Sequence, residues 1–533
     1  MAARSRGIYD KMRLKFADSY GALPAGDWTE VPMVQAATGA ERGHTQDPVL
    51  GLGRARPDPL PDMQRVNPTA TLPVDKRAIG HWLKAAFGPP LTSTRRATGS
   101  IAFSGQPAAG STITLGGVAW TFVAGAPDPG ETQIGADLAA TLAALAADLN
   151  GSADATVDDC IYAATLTTLS VERKAPGAAG NAFALAAAAA SNGTVSGATL
   201  RGGGYRHQWS GEGPRARGSF AVSGQPANNA TVTLGGTVWT FVAGAPGANQ
   251  TKILGDLAST LAQLAKDLNA SGNAAVARAR YANEAASLTV ELKEPDLQAA
   301  FSLAASGAPA SNAVPSAAVL ALAEELPDFA QELADPRAGI YDVQTGVKVN
   351  TLAFEHGRAN PVNFRAGMIA KKSADDGASK AGNPVATALS RFLYFHGSIL
   401  IDGVALGVGT SMQLDYSNAL EPFDPVQESE TIERIDEGVA ATGGRLTVRL
   451  SAEAKTKLRA AAKAKTPVAF QMGWASNPEE AIVFSIHRAF LPEPTHDIGG
   501  PGGIDMTFTF DGAKDATLAR SLGVSLDNDV SGY

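Results

Sequence analysis

The chain has 533 residues, one cysteine (Cys160), a formal net charge of −8 and a pI near 5.5. The length suits about three or four domains, one cysteine excludes an internal disulfide, and the acidic balance argues against a general nucleic-acid binder, which carries a basic face. No apolar run approaches the roughly 20 residues of a membrane span: Ala182–Ala190 is too short, and the basic start Met1–Phe16 lacks the apolar core of a signal peptide.

Glycine (57) and proline (31) are plentiful and the β-branched runs are short, which predicts a mainly β chain with many turns. The first clear element is a helix over Lys76–Phe87. Asp75 stands at its N-cap, Ile79, Trp82, Leu83 and Phe87 share one side, and Gly88-Pro89-Pro90 stops it.

An internal repeat follows. Gly99–Trp120 reads GSIAFSGQPAAGSTITLGGVAW and Gly218–Trp239 reads GSFAVSGQPANNATVTLGGTVW, an offset of 119 residues (239 − 120) that also carries TFVAGAP at Thr121–Pro127 onto Thr240–Pro246. Within each copy two alternating runs flank a Gly-Gly pair, Gly116-Gly117 or Gly235-Gly236, the signal of a two-residue hairpin. Leucines at 138, 142, 145 and 149, and at 257, 261, 264 and 268, line one face of a helix. Thr168–Glu172 and Ser287–Glu291 read as strands. Each copy is thus a small α+β module of about 105 residues, large enough for its own core.

The modules, at 97–204 and 214–323, are separated only by Tyr205–Glu212, a single strand's length. That arrangement predicts a host domain of 1–96, 205–213 and 324–533 whose adjacent loops each accepted a module, since loop tips tolerate insertion. In the host, Arg445–Leu450, Val468–Trp474, Ala481–Ile486 and Ile504–Phe510 alternate as strands, and Ser451–Lys465 reads as an alanine- and lysine-rich helix. The expected fold is an antiparallel β-sandwich or barrel with one or two helices, plus two inserted α+β domains.

Two charge runs stand out. Glu421–Glu437 carries Glu421, Asp424, Glu428, Glu430, Glu433, Asp436 and Glu437 against Arg434 alone; Glu453–Lys465 carries Lys455, Lys457, Arg459, Lys463 and Lys465 against Glu453 alone. They are either solvated faces or a contact between neighbouring subunits. Glu421, Asp424, Glu428, Glu430, Glu433, Lys455, Lys457 and Arg459 are the candidate interface residues. Pro422 and Pro425 predict a loop in the first half of the acidic run.

The chemistry of an enzyme is not legible. The seven histidines, His44, His81, His207, His356, His396, His487 and His496, have no helical metal-ligand spacing. No nucleophile elbow, Walker or dinucleotide motif is present. The GGPGG run at Gly499–Gly503 lacks a following Lys-Ser/Thr and a helix, so it reads as a turn. Neither a catalytic residue nor a cofactor is assigned.

Four segments resemble the tail tube proteins of long-tailed bacteriophages: Arg13–Pro32 (RLKFADSYGALPAGDWTEVP); Leu72–Gly88 (LPVDKRAIGHWLKAAFG); Tyr205–Trp209 continuing across the second module to Leu326–Phe329 and Gly346–Phe354 (GVKVNTLAF); and Ile498–Asp515 (IGGPGGIDMTFTFDGAKD) with Asn528-Asp529-Val530. The modules resemble small domains appended to phage virion proteins. The resemblance implies a virion protein, made in the host cytoplasm, whose homo-hexameric rings stack into a tube. Inner strands of six subunits would close one barrel around the lumen. The implied partners are the tape-measure protein and tail terminator or adaptor proteins, with phage DNA passing a negatively charged lumen unbound and no membrane involved. A decoration or host-adhesion protein whose repeats bind a receptor or glycan is the alternative; a hydrolase of cell-wall polymer would need paired carboxylates that sequence cannot pair.

Overall fold

The computed structural model describes residues 7–46, 58–211, 215–284, 286–293, 301–306, 311–316, 325–357, 361–407, 409–425, 429–451, 454–477, 479–493 and 504–533. The fold is mainly β, 48% strand against 14% helix, as the alternating runs predict. Among the described residues nineteen strands form one hydrogen-bonded system, antiparallel apart from the pairing of Thr29–Val31 with Val385–Ala386.

The system folds over into two layers. One layer orders Thr69–Pro73, Asn363–Ile369, Ile340–Gly357, Gly409–Ser417, Ala441–Arg449 and Asp505–Gly512. The other orders Gly397–Ile401, Val468–Asn477, Glu480–Phe490, Leu522–Asn528, Gly204–Ser210 and Leu91–Arg95. They join at a corner where Ala489 and Phe490 pair with Gly512 and Asp511. Between the layers every second side chain is buried. Phe354 meets Phe484 with ring centroids 4.4 Å apart, and Phe470 meets Phe510 at 5.2 Å. Such aromatic pairs contribute about 0.5–1.5 kcal/mol each beyond the area they bury.

The helix Ile79–Phe87 bridges the two layers. Trp82 packs edge-on to Phe364 of the first layer, and the Gly88 carbonyl accepts the indole N–H of Trp209 from the second at 3.0 Å. The Asp75 carboxylate accepts the amides of Arg77 and Ala78 at 2.8 and 2.7 Å, so the predicted cap holds, although the regular helix begins at Ile79, one turn later than the sequence pattern suggests. Gly80 is needed for packing: a side chain there would occupy the Tyr533 ring.

Strands between Thr98 and Val195 pair among themselves in two four-stranded sheets around the helix Leu138–Asn150; strands between Arg217 and Pro315 do the same around Leu257–Asn269. Gly116 and Gly117 have φ of 61° and 92°, Gly235 and Gly236 of 58° and 83°, so both hairpins make the left-handed turn that their Gly-Gly pairs permit. The same buried polar chain recurs. Trp120 donates to Thr132, which donates to Asp148; Trp239 donates to Thr251, which donates to Asp267. Each copy has a separate hydrophobic cluster.

His81, on the bridging helix, lies edge-on to Tyr533 at 5.1 Å. Burial, with a smaller contribution from Lys84, pushes its imidazole down to about 4. Burial and Arg520 do the same to His487. Both are neutral in the folded protein, whereas the unfolded chain takes up the proton near 6.5. Their contribution to stability is therefore complete above pH 6.5 and is lost as pH drops from 6.5 towards 4, on the order of 3 kcal/mol for His81 and less for His487, which solvent screens more. Thermal melts from pH 7.5 to 4.5 will show this slope, and His81→Gln will flatten it; an unchanged slope contradicts the assignment.

Candidate assembly surfaces

The first layer presents its second face to solvent. Because side chains alternate along a strand, the residues flanking Phe354, Leu414, Leu446 and Phe508 point away from the core. These include Glu355 and Ala353, Gln413 and Asp415, Arg445 and Thr447, and Thr507 and Thr509. The face is a hydrogen-bonded polar ladder: Arg445 donates to Gln413 (2.8 Å), Gln413 to Asp415 (2.8 Å), and Arg449 pairs with Asp505 (2.6 Å). Arg365, Arg445 and Arg449 stand against Glu355, Asp415, Asp505 and Asp511, so the face is close to charge-balanced. An open groove of about 480 Å³ runs across it, lined by Glu355, Arg365, Gln413 and Arg445. It contains no histidine or cysteine, and among the described residues no group of His, Cys, Asp or Glu could hold a metal ion.

Both lateral edges of this layer are available. Asp505–Phe510 pairs with Ala441–Arg449 on one side and with no strand on the other among the described residues. The opposite margin ends in the three-residue strand Gln35–Ala37, which among the described residues pairs only with Thr69–Thr71.

The two charged runs stand at opposite ends of the layer. Ala441–Arg449 begins just after the acidic run and ends just before the basic helix, and nine residues of strand span roughly 30 Å. At the acidic end, Glu421–Phe423 pairs with Arg434–Asp436, placing Pro422 opposite Ile435. The expectation of an unpaired loop is therefore corrected. Among the described residues this hairpin has two strands, so the missing proline N–H can face away from the ladder. Glu421, Asp424, Glu430 and Glu433 gather here, and Glu428 lies outside the described residues. A second hairpin, Glu41–Thr45 with Leu60–Arg65, leans on the first: Gln64 N–H donates to the Glu430 carbonyl at 2.8 Å, and Arg42 pairs with the Glu430 carboxylate.

At the other end, a wide turn over Ala454–Arg459 leads into the short helix Ala460–Ala464. Leu458, Ala461 and Ala462 bury into the main core, Lys457 and Arg459 are half-buried, and Lys463 and Lys465 are exposed. Lys455 lies in the same turn. The predicted basic helix is present, shorter and in two parts. Beside this end lies Leu389–His396, with Leu389 56%, Leu393 46%, Tyr394 42% and Phe395 65% exposed. Sequence reasoning passed over this stretch. Its signal is a run of large apolar residues, LSRFLY, without the alternation of a half-buried strand. The Gly499–Gly503 turn lies outside the described residues.

Sequence reasoning also missed Lys348. It is 2% exposed beneath the acidic hairpin, where it donates to Glu437 at 2.7 Å, Glu325 at 3.3 Å and the Ile435 carbonyl at 3.2 Å. Glu437 is thus tied into the fold rather than solvated. Glu437→Gln leaves a buried ammonium under-compensated and will cost on the order of 2–3 kcal/mol, below the value for a fully buried pair because Glu437 keeps 27% exposure. Lys348→Met, which removes the charge, will cost less. Denaturant titration of both variants checks the order; equal losses refute it.

Residues 265–512 match the family model Phage_tube_2, described as phage tail tube protein. The matched stretch contains five of the six strands of the polar-faced layer and both charged ends. No curated protein matches the chain. The match supports a structural role in a phage tail tube, and with it a place in the virion.

Proposed function

We propose that the chain is the major tail tube subunit of a long-tailed phage, forming rings of six that stack into a tube. The observation that carries this is the six-stranded layer with a polar outer face and two open edges. A sheet with both edges free can continue from subunit to subunit, and only closure into a barrel leaves none exposed. On this reading the polar face lines the lumen, where DNA and a tape-measure protein pass. Near charge balance and a surface of threonine, glutamine and paired arginines offer phosphate no basic patch to hold it. The slight acidic excess, four carboxylates against three arginines, agrees in sign with the negative lumen that the resemblance implies.

The repeats are insertions in this reading. Both attach beside the Leu91–Arg95 and Gly204–Ser210 strands of the second layer, behind the core from the polar face, so they project outwards.

Stacking places the acidic hairpins of one ring on the basic, apolar end of the next. Each exposed ion pair contributes about 0–1 kcal/mol, but six subunits repeat each contact, and opposite charge sets register and orientation. Charge alone does not finish the surface: Phe423, 42% exposed at the acidic end, and Phe395 at the basic end supply apolar area.

Negative-stain microscopy of purified protein tests the proposal; rings or tubes are expected, and separate monomers contradict it. Reversing Lys455, Lys457 and Arg459 to glutamate will slow polymerisation several-fold, and raising salt will slow the parent protein. Parent-like kinetics in the triple variant, with no salt effect, returns both segments to solvated faces.

A further inference from the structure

The two copies share a fold but meet the rest of the chain differently. The strand Leu91–Arg95 is the outer strand of the second layer and hydrogen-bonds only to Gly204–Ser210 among the described strands. Its free side is covered by the second copy, whose strand Ala279–Glu284 packs alongside it. Asn283 donates to the Thr94 hydroxyl at 3.1 Å, and Arg217 donates to the Pro90 carbonyl at 3.1 Å. Arg280 reaches the Ser210 hydroxyl at 3.1 Å. Glu291, 2% exposed, holds both arginines in place by ion pairs. From the other direction, Arg96 pairs with Asp256 at 2.6 Å, at the cap of the second copy's helix.

The first copy keeps the acids but lacks the donors: Glu172 and Asp137 stand where Glu291 and Asp256 do, and Glu172 pairs with Arg96 at 3.4 Å. Subtracting the offset of 119 residues, Arg217, Arg280 and Asn283 fall on Thr98, Ile161 and Ala164. The contrast in burial is sharpest at the alanine pair. Ala282 points out of the second copy's own core yet is 4% exposed, because the host covers it; its counterpart Ala163 is exposed. The first copy attaches through a turn instead: Gly177 N–H donates to the Arg95 carbonyl at 3.0 Å.

We propose that the second copy is an edge guard, which occupies the open side of Leu91–Arg95 so that this strand cannot pair with another chain. An uncovered edge is a template for unwanted pairing, and covering it is one of the ways proteins suppress that. The need is acute in a protein with other open edges, because pairing at the wrong edge gives an open, non-closing aggregate. The first copy has no such duty, and its corresponding surface is left free. Duplication has divided the work: one copy protects the sheet and the other is presented to solvent.

The test uses the full chain. Ala282→Arg wedges the second copy off the strand, and Ala163→Arg makes the same change in the first. Hydrogen exchange at Leu91–Arg95 will quicken at least tenfold in Ala282→Arg and stay at the parent rate in Ala163→Arg. Sedimentation velocity will show concentration-dependent aggregation only in the former. Adding Ser93→Lys, an edge charge that opposes strand pairing, will abolish that aggregation while the exchange stays fast. Parent-like exchange in Ala282→Arg, equal effects of the two arginines, or aggregation that survives Ser93→Lys each overturns the proposal. Because these readouts concern the unassembled chain, they stand or fall separately from the tube reading.

Discussion

The constraint on which the rest depends is the two-residue period of a strand, applied to a layer that is buried on one side only. Phe354, Leu414, Leu446 and Phe508 fill the space between the layers with almost no exposure. Their neighbours must then point away from the core, and a slip of one residue would exchange the two sets. The polar face is therefore enforced by the hydrophobic core. Its hydrogen-bond ladder adds definition, but the free energy that keeps Gln413, Arg445 and Thr507 on the outside comes from burying the aromatic and aliphatic residues beside them. The layer's end strands, Asp505–Gly512 and Gln35–Ala37, each keep an edge that is largely unpaired among the described residues.

Length adds the second element. A strand that connects an acidic run to a basic one keeps the two about 30 Å apart, so they cannot neutralise each other within a subunit. The acidic end partly neutralises itself, through Lys348 with Glu437 and Arg42 with Glu430. What remains exposed is a pair of hairpins at one end and a basic, apolar surface at the other. Opposite and unlike ends are what a head-to-tail stack requires.

Much of this was legible in the sequence, for reasons that can be named. The repeat and its Gly-Gly hairpins were legible because identity at a fixed offset and positive φ are local signals. The strands near Arg445, Val468, Ala481 and Ile504 were legible because a half-buried layer alternates cleanly. The paired state of Glu421–Phe423 was not: proline argues against a strand, and only the partner Arg434–Asp436, eleven or more residues away, makes the hairpin. Lys348 was hidden because Val347 and Val349 flank it as in an alternating strand, whereas the structure buries Gly346–Val349 in a row and burial of the lysine depends on acids brought from Glu325 and Glu437. The docking of the second copy rests on contacts between residues far apart in the chain, 189 residues between Asn283 and Thr94 and 304 between Arg215 and Ala519, which no local pattern reports.

The most direct measurement is an image reconstruction of the assembled protein at a resolution that traces strands. The expected result is a closed barrel whose inner wall is the face bearing Gln413, Arg445 and Thr507, with both repeat copies on the outside and the acidic hairpins of each ring seated on the basic end of the next. A wall formed by any other face, or like ends meeting between rings, would contradict it.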